Sequence, residues 1–268
     1  MLTHLFHLSL LSLLPADPAA LSPGSPAPVT SVRPCQDETP DERADVAMRL
    51  KDFRALLKKK GEKDLEAIAL IDGFTREFED YGPKDRKAVV KALDGALKVK
   101  RRDLEEGVPD NRLYVASVVA LGEMAPESVD SLLSWLGHKS HRRNVVLQVR
   151  IVTAVGKTME PDAIDPLVDL LNDKEKKLQA AAARALANFD TEPLEERKKI
   201  FKELLDVLMA QKAAKDADVK DLEAFERWST ISGPIKDTLQ ALSGHDEREA
   251  EGWQRWWNKN KKKDWDES

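Results

Sequence analysis

Apolar residues recur at helical spacing through most of the chain after residue 41, and one pattern is written twice. LYVASVVALGEMAPESVDSLLSWL begins at Leu113, and LQVRIVTAVGKTMEPDAIDPLVDLL begins at Leu147. Gly122 and Gly156 hold the same place in each, and a weaker third copy begins at Leu178. Two places before Gly122, Gly156 and Ala187 stand Ala120, Ala154 and Ala185; one place before stand Leu121, Val155 and Leu186. Each copy reads as an amphipathic helix ended by the small residue, a turn holding Pro126 or Pro161, and a second amphipathic helix. The alanines let neighbouring helices approach closely. A hairpin repeating about every 31 to 34 residues cannot bury its apolar faces alone and must stack on the next copy. The expected fold is all-α: an α-α superhelix, a solenoid of stacked antiparallel helical hairpins.

The flanks extend the pattern. Asp41 is a candidate N-cap for a helix carrying Ala47, Leu50, Phe53 and Leu57, which Gly61 stops after the cationic turn Lys58-Lys59-Lys60. A second helix carries Leu65, Ile68, Ala69, Ile71 and Phe74 up to the Tyr81-Gly82-Pro83 break. A third carries Val89, Val90, Leu93, Ala96 and Leu97, and Lys98 to Asp110 reads as a polar loop. Past the third copy, Glu196 to Met209 places Phe201, Leu204, Leu205 and Leu208 on one stripe, and Ala213 to Asp218 reads as a loop. Leu222, Phe225 and Trp228 predict a helix ended by Ser232-Gly233, with Pro234 to Leu242 as a last arm.

The two ends differ from this. Leu5 to Leu14 (LFHLSLLSLL) has the length of a signal-peptide apolar core and is too short to span a bilayer. Residues 1–20 are therefore expected to direct export to the periplasm or the cell exterior, with no stable membrane insertion after their removal. Residues 21–40 are rich in Pro, Ser and Ala and read as a flexible linker. Cys35, the single cysteine, follows Arg33-Pro34 rather than the small residues of a lipid-anchor motif, and rules out an intramolecular disulfide.

Gly156 to Asp173 (GKTMEPDAIDPLVDLLND) resembles the second half of a HEAT repeat of the kind also found in phycobilisome-lyase proteins, and Leu147 to Val155 is similar to the first half. The family's arginine usually follows the opening aliphatic by one or two places, whereas Arg150 lies three after Leu147. The resemblance covers Asp64 to Gly244 and is strongest in the middle. The end of the chain, ALSGHDEREAEGWQRWWNKNKKKDW, resembles a tail that follows HEAT arrays in exported bacterial proteins, where a short helix bears W-x-x-W-W. The expected organisation is a HEAT-like solenoid over 41–244 and a Trp/Lys-rich C-terminal cap and tail over 245–268.

Charge adds one asymmetry. The 268 residues are 34% charged and carry a formal net charge of -5, so no global field for nucleic acid or membrane follows. Yet Ser131 to Met159 contains no Asp or Glu, while holding Lys139, Arg142, Arg143, Arg150, Lys157, His138 and His141. The first four are candidate contacts for an anionic partner. The alternative is a solvated loop neutralised by acidic neighbours such as Asp173 and Glu175. His138-x-x-His141 lacks a third ligand and makes a poor metal site.

Two aromatic features read as structural. Trp135 points about 110° off the stripe of Val129, Leu132, Leu133 and Leu136. Its equivalents Leu170 and Val207 are apolar, which fits inter-repeat packing. Trp253, Trp256 and Trp257 could stack on sugars or bases. From Gly244 onward, however, six basic residues meet seven acidic ones, and a cap over the open end of the solenoid needs such apolar area.

No feature arranges a nucleophile, base or metal, and no catalytic residue or cofactor is expected. The leading expectation is a non-enzymatic scaffold that holds another protein by its concave face or loop edge. The HEAT resemblance also allows an enzyme of bilin-lyase type. The His-Glu ligand pairs of deoxyhypusine hydroxylases are absent. Anion or nucleic-acid binding through the basic loop 138–150 is a further alternative.

Overall fold

The computed structural model describes residues 41–266; the expected export segment, the linker with Cys35 and the last two residues lie outside the described residues. Those described form the helices α1 (Ala44–Leu57), α2 (Asp64–Glu77), α3 (Pro83–Lys98), α4 (Arg112–Gly122), α5 (Val129–Trp135), α6 (Val145–Lys157), α7 (Ile164–Asp169), α8 (Lys176–Leu186), α9 (Leu194–Ala217), α10 (Leu222–Ser243) and α11 (Ala250–Asn260). No strand occurs among the described residues beyond the isolated bridge Glu105–Val108. The fold is an all-α solenoid. Helices α2, α4, α6, α8 and α10 pack side by side in one layer, α1 closes one end against α2 and α3, and α11 packs on α9.

The two glycines of the doubled hairpin do a different job from the one expected. Gly122 and Gly156 lie within the last turns of α4 and α6, and neither has the left-handed φ of a glycine cap. Each faces the next copy's alanine instead. A β-carbon on Gly122 would stand 3.1 Å from that of Ala154, and one on Gly156 would stand 2.5 Å from that of Ala185. The missing β-carbons set how closely α4, α6 and α8 approach.

Several local expectations are corrected. Asp41 does not cap α1, which starts after Arg43 without a side-chain cap. Its Oδ1 accepts from the backbone N–H of Lys84 at the start of α3 (3.1 Å), and Asp85 returns the bond by accepting from the N–H of Arg43 (2.8 Å). The adjoining N-termini exchange carboxylates, because each helix end presents unpaired N–H groups to the other. Val46, not Ala47, completes the buried stripe of α1, and Ala67 replaces Leu65, which stands exposed. Val219, Leu222 and Phe225 are exposed as well.

α9 continues through Ala213 to Ala217, where Lys212 pairs with Asp216 one turn on and with Glu251 of α11. α10 continues through Gly233 and Pro234 without a break. A helix-interior proline costs about 3 kcal/mol. Burial of Ile231, Ile235, Leu239 and Leu242 on one uninterrupted face returns roughly 1.5–3 kcal/mol per side chain, so the helix persists.

A candidate interaction surface

The loop joining α5 to α6 is built from the inside. Gln148 of α6 spans it, accepting from the N–H of Gly137 (2.8 Å) and donating to the carbonyl of Trp135 (3.2 Å). His141 is buried, its Nε2 donating to the carbonyl of Leu97 at 2.8 Å, with its ring beside those of Tyr114 and Trp135. Its role is therefore to pin the loop to α3, and no cluster of metal-ligating side chains occurs among the described residues. Asn111 and Asn144, at the starts of α4 and α6, exchange side-chain amide bonds, and Asn144 also caps α6 through Leu147.

Trp135 is a buried packing residue. Its Nε1–H donates to Oδ1 of Asp94 on α3 at 2.8 Å, and Ser131 donates to the same oxygen at 3.1 Å. Burial raises the Asp94 carboxyl, but hydrogen bonds from Lys98, Trp135 and Ser131 outweigh it and hold the group below the usual carboxylate value.

With His141 turned inward, the loop turns Lys139, Arg142 and Arg143 outward. Arg150 is exposed one turn into α6. None of the four is in an ion pair among the described residues. Asp173 and Glu175, the acids expected to neutralise them, bond instead to the backbone N–H groups of Glu175 and Lys177 at the start of α8. Lys157 is engaged by Glu123.

Equivalent positions on α4, α6 and α8 face outward together: Arg112, Val119 and Glu123; Val146, Arg150, Thr153 and Lys157; Lys177, Arg184 and Asn188. The Glu123–Lys157 pair joins the first two stripes. Lys177 and Arg184 belong to this surface and were passed over in the sequence. The signal available was LQAAAARALAN, a second acid-free stretch. Beside α4 lies a groove of about 940 Å³ whose walls include Ile68 and Thr75 of α2 and Val115 and Val119 of α4, with Leu104 at its edge.

At the far end, four tryptophans surround Phe201 of α9. Trp257 stacks on it at 5.2 Å and 16°, Trp253 and Trp265 meet it edge-on, and Trp256 lies tilted at 5.3 Å with His245 stacked upon it. Trp253, Trp257 and Trp265 are buried, and Trp256 is half-buried with His245 stacked on its face. Trp265 was not singled out in the sequence. It is held as Arg197 binds Asp266 through both carboxylate oxygens and donates to the carbonyl of Leu242.

No curated protein and no solved structure matches the chain. Residues 71–187, from the second half of α2 to the end of α8, match the family model of HEAT repeats, and these hairpins contribute the helices α4, α6 and α8 of this surface.

Proposed function

We propose that this chain is an exported, non-enzymatic scaffold that holds another protein. One observation carries the reading. Several buried polar groups join one element to the next, as in Asp64–Arg101, Trp135–Asp94, His141–Leu97 and Arg197–Asp266, while Lys139, Arg142 and Arg143 of the loop and Arg150 of α6 are exposed with no ion pair among the described residues. Stacked repeats offer extended surfaces of this kind for a partner. Export rests on the apolar run Leu5 to Leu14 and on the likeness of the W-x-x-W-W tail to exported proteins. No helix among the described residues is long and apolar enough to cross a membrane.

Purification of the full chain under native conditions tests the reading. A second protein in stoichiometric amount is the expected result. A chain that elutes alone with stoichiometric iron or zinc overturns it in favour of an enzyme, and bilin-lyase activity is the first assay the repeat likeness then suggests.

A further inference from the structure

The three stacked first helices at the centre of the solenoid contain no acidic residue at all. α4, α6 and α8 read RLYVASVVALG, VVLQVRIVTAVGK and KKLQAAAARAL, in a chain with 48 Asp and Glu. Their hairpin partners are not so depleted: α5 holds Asp130, α7 holds Asp165 and Asp169, and α9 holds several acids. The basic loop is thus one edge of a larger charge segregation, in which the carboxylates that meet these helices, Asp110, Glu123 and Glu226, come from outside their spans.

The cations of this face fall into two groups. Arg112, Lys157 and Lys176 are spent on Asp110, Glu123 and Glu226. Arg150, Lys177 and Arg184, with Arg142 and Arg143 at the loop, are exposed without an ion pair among the described residues. Beside α4 runs the groove, mostly apolar, with Val119 49% and Leu104 58% exposed; Asp72 and Arg76 of α2 and the Lys157-paired Glu123 are the charged residues on its walls besides Arg112. The groove and Arg150 share one surface: Val119 and Glu123 lie on one stripe of α4, Glu123 pairs with Lys157, and Lys157 lies on the stripe of Arg150.

We propose that the face formed by α4, α6 and α8 docks an acidic, amphipathic segment of a partner protein, its aliphatic side chains entering the α2–α4 groove and its carboxylates meeting Arg150, Arg184 and Arg142-Arg143. Charge complementarity selects this occupant. A nucleic acid would meet the cations but would leave the aliphatic groove unused. It would also find no exposed aromatic ring among these three helices on which to stack. The proposal rests on the scaffold reading and specifies its surface.

The test uses the folded full chain and a display library of short random peptides. Enrichment of sequences that combine Asp or Glu with aliphatic residues is expected. Their affinity should fall about tenfold in an Arg150→Glu, Arg184→Glu double variant and separately in Val119→Asp, while Lys199→Glu on the exposed surface of α9 leaves it unchanged. All these positions are solvent-facing, and Arg150→Gln with Arg184→Gln provides a milder pair should reversal disturb folding. No enrichment, enrichment without acids, or indifference to these variants overturns the proposal. So does a single-stranded oligonucleotide that binds at physiological salt and is released by the double variant while no peptide is enriched. If the double variant retains its co-purifying native protein, this surface falls and the scaffold reading survives. If neither form retains one, the scaffold reading falls too.

Discussion

Gly156 and Ala185 approach so closely that a β-carbon on the glycine would lie 2.5 Å from the alanine's β-carbon and 2.8 Å from its α-carbon. The obstacle is backbone and a β-carbon, neither of which can turn aside. Gly156→Ala must push α6 and α8 apart, and the expected loss is on the order of 1–3 kcal/mol. Gly122→Ala meets Ala154 at 3.1–3.3 Å, a milder intrusion that the better helix propensity of alanine offsets by up to about 1 kcal/mol. Thermal melting of the two variants should therefore show a clear drop for Gly156 and little change for Gly122. The reverse order would mean that the glycines do not set the helix spacing.

The Asp64–Arg101 pair is buried on both sides, with side chains 2% and 3% exposed and two hydrogen bonds of 2.7 and 2.8 Å. It ties the loop after α3 to the start of α2. Asp64→Ala leaves a guanidinium buried without its partner, and a loss of roughly 3–5 kcal/mol is expected. Replacing both, as Asp64→Leu with Arg101→Met, removes the stranded charge and should cost less than the single change. Denaturant titration of the three proteins decides it, and equal losses would count against the pair.

The repeats were legible because their signal is local: Gly122, Gly156 and the alanines before them recur at fixed offsets, and the apolar stripes of α3 to α9 follow from helical spacing. What escaped depends on contacts distant in sequence. Arg101 sits in a polar stretch, and nothing nearby shows that it reaches back 37 residues to Asp64. Pro234 has the local chemistry of a breaker, and only the packed face of α10 overrules it. His141 resembles a surface ligand until the carbonyl of Leu97 is placed against it. Of the interaction surface, the loop cations could be read directly, whereas Lys177 and Arg184 join them only once α6 and α8 lie side by side.

Asp94 makes one pH response assignable. Its carboxyl is held below the ordinary carboxylate value of 3.8 because the bonds from Lys98, Trp135 and Ser131 outweigh the effect of burial. For a depressed acid, the stabilisation is complete above the unfolded value and is lost as pH falls through the lower folded value. Asp94→Asn should therefore be less stable than the parent at neutral pH, and the gap should narrow below about pH 4. Melting curves across that range check the sign; a gap that widens on acidification would contradict it. Trp135→Phe, which removes one donor, should cost about 1 kcal/mol at neutral pH.

Phe201 is fully buried beneath Trp253, Trp256, Trp257 and Trp265, and the bidentate Arg197–Asp266 pair holds the tail down. Ending the chain before Trp253 removes all four rings at once, uncovers Phe201 and leaves the buried Arg197 without its carboxylate. Phe201→Ala, which keeps the tryptophans but empties their centre, should cost on the order of 3–5 kcal/mol. Both changes should lower the melting temperature, and the truncated chain should also bind a dye that reports exposed apolar surface. Asp266→Asn separates the tie from the rings: it weakens the Arg197 contact without opening the cluster, so its melting temperature should fall less than that of either larger change. A truncated chain as stable as the parent, having lost only the capacity to hold a partner, would make the tail a binding element rather than a cap.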